Sequence, residues 1–213
     1  MHIGPILIWL LNFGISFWNA YAVGLAWVET KHSGGWPRVT AWAGAVMSAC
    51  GFSWCYLFIL VYVARGLGWL DEDHVEIALK LGYIALIPGF LASGIVITLD
   101  SWARAYRQRT IANFGMAAWN TYAQIHNTFH AIQNLDKAFG SVLDAFRGGG
   151  SGGSGSSEKK DGGAAFLVLF LVVILALVSG VLTTAVIISR VAGNHPLPDE
   201  SEIAEKQNEA AKK

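Results

Sequence analysis

The stretch FLVLFLVVILALV, Phe166 to Val178, is an unbroken apolar run without one ionisable side chain. Extended from about Ala164 to Ser189, it supplies the roughly 20 residues that a helix needs to cross a bilayer. No soluble core helix needs such a run. Three further stretches of comparable length lie upstream, from about Ile3 to Val28, Ala41 to Val63 and Val75 to Leu99. The 213 residues as a whole agree: 54% are hydrophobic and 14% charged, with a mean hydropathy of +0.43, too apolar for an ordinary soluble domain. The expectation is an all-α integral membrane protein with four transmembrane helices. Residues 1–99 form a three-span bundle, and 164–190 form the fourth span.

Fifteen Lys+Arg balance fifteen Asp+Glu, so the broad positive field of a nucleic-acid binder is missing. Local charge carries the information instead. Lys and Arg are retained on the cytoplasmic side of a membrane. Arg104, Arg107 and Arg109 follow the third span and read as membrane-surface basic residues, while Lys31 and Arg38 sit between the first two spans. Loops 29–40 and 100–163 are therefore expected inside. With four spans, the N-terminus and the C-terminus are both expected outside, together with Arg65 and the acidic group Asp71, Glu72, Asp73 and Glu76. Ala20-Tyr21-Ala22 mimics a signal-peptidase site, but no Lys or Arg precedes the apolar run, so the first span is read as uncleaved.

Between the third and fourth spans, residues 100–147 contain no proline. Trp119, Tyr122, Ile125, Phe129, Ile132, Leu135, Phe139, Val142 and Phe146 recur in steps of three and four, which marks one face of an amphipathic helix. If continuous from Asp100, the helix is about 70 Å long and must lie on the membrane surface, fold back, or pack on copies or partners. Its middle, Ile111 to Leu135, has no charged residue, yet ten of its 25 residues are Asn, Thr, Gln or His. Asn113, Asn120, Gln124, Asn127 and Asn134 suit hydrogen bonds to neighbouring helices without the cost of a buried charge. That favours a protein interface over a helix sunk among lipid head groups, and over a fifth, polar span that would place the C-terminus inside. Residues 148–163, GGGSGGSGSSEKKDGG, read as a flexible linker, native or an engineered scar. Beyond Pro196 and Pro198, the 191–213 tail reads as polar, with a short helix whose acids come first and whose lysines come last.

Inside the spans, Asn12, Ser16 and Asn19 share one helical face that lipid is not expected to cover. Gly44, Ser48, Gly51 and Cys55 in the second span, and Ala85, Gly89 and Ser93 in the third, form small-residue ridges that permit close backbone approach. Pro88 should kink the third span. Lys80 is expected to snorkel and pair with Glu76. His126 and His130 have the i, i+4 spacing of a metal pair, but two ligands do not make a site. Cys50 and Cys55 cannot pair within one helix. Trp27, Trp36, Trp42, Trp69 and Trp102 fit an aromatic belt. Phosphate-binding, nucleophile-elbow and zincin motifs are absent from the sequence.

These features describe a non-enzymatic structural or assembly subunit without metal or cofactor, whose partners are the bilayer, further copies of itself or other membrane-protein subunits. The alternative is a pore, holin-like or conducting small solutes, lined by Asn12, Ser16, Asn19 and the Asn/Gln/His face.

Overall fold

The computed structural model describes residues 3–31, 35–148, 162–195 and Asn208. Its described part is five helices with no strand: α1 (Ile3–Glu29), α2 (Trp36–Gly66), α3 (Glu72–Gln108), α4 (Ile111–Gly148) and α5 (Gly162–Asn194). Three of them, α2, α3 and α5 from Val168, are long and apolar enough to cross a membrane. The expectation of four spans is thus met in part. α1 is not one of the three found among the described residues. The expected linker beyond Gly148 and the expected C-terminal helix lie almost wholly outside the described residues.

Local chemistry explains the helix ends. Gly35 at φ 79° precedes α2, and Pro37 occupies its first turn, where a missing N–H costs nothing. Asp71 caps α3 by accepting from the His74 backbone N–H at 2.9 Å. α3 then continues through Pro88 and past Leu99 to Gln108. It stops at Arg109, which adopts left-handed angles of φ 39° and ψ 38° and donates its N–H to the Ala105 carbonyl at 2.8 Å. The Thr110 hydroxyl accepts from the Asn113 N–H at 3.2 Å and starts α4.

The stretch from Asp100 to Arg147 is divided between two helices, α3 running on to Gln108 and α4 starting at Ile111, so it folds back and does not extend as one helix. No glycine or proline marks this turn in the sequence. A left-handed arginine costs on the order of 1–2 kcal/mol, which the contacts between α3 and α4 offset.

Successive neighbours are antiparallel. Trp27 meets Trp42 edge-on, with ring centroids 5.1 Å apart, and Phe13 meets Phe52 at 5.5 Å. Trp54 meets Tyr83, and Trp102 meets Thr121. α5 runs parallel to α1, since Gly24 faces Val191 close to both C-terminal ends. α2 is central and packs on α1, α3 and α5, whereas α4 packs on α3 alone among the described residues. One core cluster joins Leu57, Val61, Ala64, Leu70, Val75 and Ala78 to Leu169, Val173 and Ala176.

In lipid the apolar effect does not drive helices together, so close approach and interhelical hydrogen bonds carry association. Gly180 illustrates the point: a Cβ there would fall within 2.6 Å of the Ser53 Cα, so only glycine fits this α2–α5 crossing. Beside it, the Ser53 hydroxyl donates to the Leu177 carbonyl at 3.2 Å. A Cβ at Gly44 would come within 2.6 Å of Val23 Cγ2.

Candidate functional site

The seam between α3 and α4 gathers most of the polar chemistry. Ala117, Ala131, Ala138 and Val142 are buried along it, with Thr121 and Gln124 half-buried. Trp102 Nε1 donates to Thr121 Oγ1 at 2.9 Å, and the Thr121 hydroxyl donates to the Ala117 carbonyl at 2.8 Å. Gln124 Nε2 donates to the Leu91 carbonyl at 3.1 Å, while Gln124 Oε1 fills the space that a Cβ on Gly94 would need. The Asn120 backbone carbonyl accepts weakly from the Thr98 hydroxyl at 3.4 Å. Farther along, Lys80 Nζ donates to Ser141 Oγ at 2.7 Å and pairs with Glu76. Lys80 therefore ties the two helices together as well as forming its expected pair.

α4 is amphipathic with the period read from the sequence, but most of its apolar side is turned away from the protein, with buried Val142 and half-buried Leu135 as exceptions. Trp119, Tyr122, Ile125, Phe129, Ile132 and Phe139 are all exposed, Ile132 at 68%. The polar and small side packs against α3. Such an inside-out arrangement suits a hydrocarbon surround, where a polar group gains most from a protein partner. The outward side also carries His126 and His130, their rings 4.3 Å apart and edge-on, with Tyr122 stacked on His126. Both histidines are exposed, and they lie between the levels where Gln124 meets Leu91 and Ser141 meets Lys80, beside the middle of α3.

A second cluster closes the hairpin end of this seam. The Asp100 carboxylate, buried at 9% exposure, accepts from Trp36 Nε1 at 3.0 Å and from Arg104 Nε at 2.6 Å. The rest of the Arg104 guanidinium completes the pair. A pocket of about 360 Å³ adjoins it, lined by Ser101, Asn113 and Asn120 together with the apolar Ile97, Ala112 and Met116. Sequence reasoning missed Asp100 and Trp36. The i, i+4 spacing of Asp100 and Arg104 was the available signal, but nothing in it pointed to Trp36, 64 positions away.

The other candidates are scattered. Ser16 is buried at the α1–α2 crossing, its hydroxyl where a Cβ on Gly51 would lie. Asn19 is half-buried and Asn12 exposed, so the polar stripe of α1 is not wholly turned inward. Ser48 is buried and donates to the Gly44 carbonyl at 2.9 Å, and Ser93 is buried and donates to the Gly89 carbonyl at 2.7 Å. A Cβ on Gly89 would sit in ordinary contact with Cys50 Sγ at 3.4 Å, while Ala85 is exposed. Asn127 is half-buried, and Arg107 and Arg109 are exposed. In the acidic loop, Asp71 caps α3, Glu72 faces Arg65 at 3.4 Å and Glu76 holds Lys80. Among the described residues, no group of three or more His, Cys, Asp or Glu side chains is placed to hold a metal ion. No family model, curated protein or solved structure matches this chain.

Proposed function

We propose that the chain is a non-enzymatic assembly subunit of an oligomeric membrane complex, and that copies associate through the outward side of α4. The observation that carries this reading is the exposure of His126 and His130 on a helix that packs on α3 alone among the described residues, level with the middle of α3. Ionisable and polar side chains at that depth face protein or water, not hydrocarbon. A second copy offers the same side in return, as an isologous interface requires. Of the polar groups that a water-lined path would use, Gln124 is bonded within the seam and Ser16 is buried against Gly51, which favours assembly over a pore.

With α4 antiparallel to α3, the reading extends to orientation. Lys31, Arg38, Arg104, Arg107, Arg109 and Arg190 lie towards one end of the helices with Glu29 and Asp100, whereas Asp71, Glu72, Asp73, Glu76, Asp136 and Asp144 lie towards the other with Arg65, Lys80 and Lys137. By the retention of positive charge, the first end is cytoplasmic. This puts the start of α1 outside and the end of α5 inside, in place of the C-terminus outside that four spans imply.

The test is disulfide cross-linking of the full chain in membranes, with Cys50 and Cys55 replaced and single cysteines at positions 122, 126, 129 and 133. Cross-linked dimers at these positions, and none at 121 or 124, are expected. Monomers throughout overturn the reading, and changed liposome permeability in Gln124→Leu at equal expression replaces it with a pore.

A further inference from the structure

A cleft of about 750 Å³ opens between the C-terminal half of α5, the first half of α2 and the end of α1. It is of the size that holds a ligand, and it is separate from the α3–α4 seam. Along α2 it runs from Trp42 to Ser53, about 17 Å at 1.5 Å per residue. That is about half of a 30 Å hydrocarbon core, the depth of one leaflet.

The walls are mostly aliphatic, and of the three hydroxyls among them two, Ser53 and Thr184, are occupied, while Ser189 lies at the exposed end. Ser53 donates to the Leu177 carbonyl, and Thr184 donates to the Gly180 carbonyl at 3.0 Å. A polar solute or hydrated ion would find few free partners there, whereas an acyl chain needs none. At the mouth stand the edge-on pair Trp27 and Trp42, indoles of the kind that settle at the head-group level. Beside them is Lys31, exposed and without a carboxylate in ion-pair range among the described residues.

We propose that this cleft seats one acyl chain of an anionic phospholipid from the leaflet on the Lys31 side, with the Lys31 ammonium on the lipid phosphate. The chain lies between α2 and α5, and its glycerol region is level with Trp27 and Trp42. The cationic mouth selects the head group, and the cleft selects a lipid over a free phosphate. This inference rests on α2 and α5 as membrane helices and is independent of whether copies assemble through α4.

The test is native mass spectrometry of the full chain released from nanodiscs of equal parts phosphatidylglycerol and phosphatidylcholine. One phosphatidylglycerol per chain is expected to stay bound in preference to phosphatidylcholine. Lys31→Gln should lower that preference about five-fold, the worth of one lysine near an anionic surface. Ala185→Trp, at an exposed position on the cleft wall, should remove the retained lipid of either kind. Equal retention of the two lipids, a preference unchanged in Lys31→Gln, or full retention in a helical, monodisperse Ala185→Trp each overturn the proposal. Free inorganic phosphate that displaces the lipid would do so as well.

Discussion

Gln124 and Gly94 form a lock between α3 and α4: the amide oxygen occupies the volume that a Cβ on Gly94 would take, and the amide nitrogen donates to the Leu91 carbonyl one turn away. Gly94→Ala should displace the amide and destabilise the hairpin by about 1–3 kcal/mol, as overpacking does. Gln124→Ala alone removes one interhelical hydrogen bond and should cost about 0.6–1.7 kcal/mol. The two losses share one contact, so the double variant should be less destabilised than their sum. Thermal unfolding of all four proteins in one detergent checks this, and simple additivity would refute the lock.

Asp100 joins the start of α2 to the end of α3 through Trp36. Its partner Arg104 is 66% exposed at the side chain, so water screens that half of the interaction. Most of the value should lie in the Trp36 bond. Asp100→Ala is therefore expected to cost about 1.5–3 kcal/mol, as lost hydrogen bonds to charged groups do. Arg104→Gln should cost less than 1 kcal/mol. Denaturant titration of both variants measures the difference, and equal losses would contradict the ranking.

The helix cap at Asp71 makes α3 sensitive to acid. The His74 backbone N–H, then the His74 side chain, hold the Asp71 carboxyl below its ordinary value of 3.8. A carboxyl lowered in the folded state contributes stability that is fully present above its unfolded pKa and is lost as pH falls through the lowered folded value. Amide exchange at His74 should thus show the first turn of α3 fraying only below about pH 4. Asp71→Asn, which keeps a capping oxygen, should remove that dependence. An unchanged acid profile in Asp71→Asn would assign the fraying to another group.

Orientation can be read with single cysteines in a background lacking Cys50 and Cys55. Glu72→Cys, at the acidic end, should react with a membrane-impermeant maleimide added to right-side-out vesicles. Asn194→Cys should react only after permeabilisation. Labelling of both from outside would mean that α4 does not cross, and would restore a C-terminus outside.

Helix content was legible from hydropathy and period alone. The run from Phe166 to Val178 and the periodic residues from Trp119 to Phe139 fall inside α5 and α4. The turn at Arg109 was not legible, because its left-handed residue is neither glycine nor asparagine and only Thr110 offers a cap. The direction of α4 was also hidden. A period tells that a helix has two sides, but which side meets protein depends on whether the surround is water or lipid. The Trp36–Asp100 bond needs two distant segments to meet, and no local pattern encodes that.

Local physics within the chain thus determined the all-α class, the apolar helices, the caps at Pro37 and Asp71, and the polar and small residues available for packing. Each of these depends on neighbours within a few positions. The tertiary structure decided where the chain turns back, that Gly180 and Gly94 are among the glycines with no room for a side chain, and that Thr121 and Gln124 of α4 are spent on α3. Those outcomes depend on the volume between helices distant in sequence, which is set only once the backbones have closed on one another.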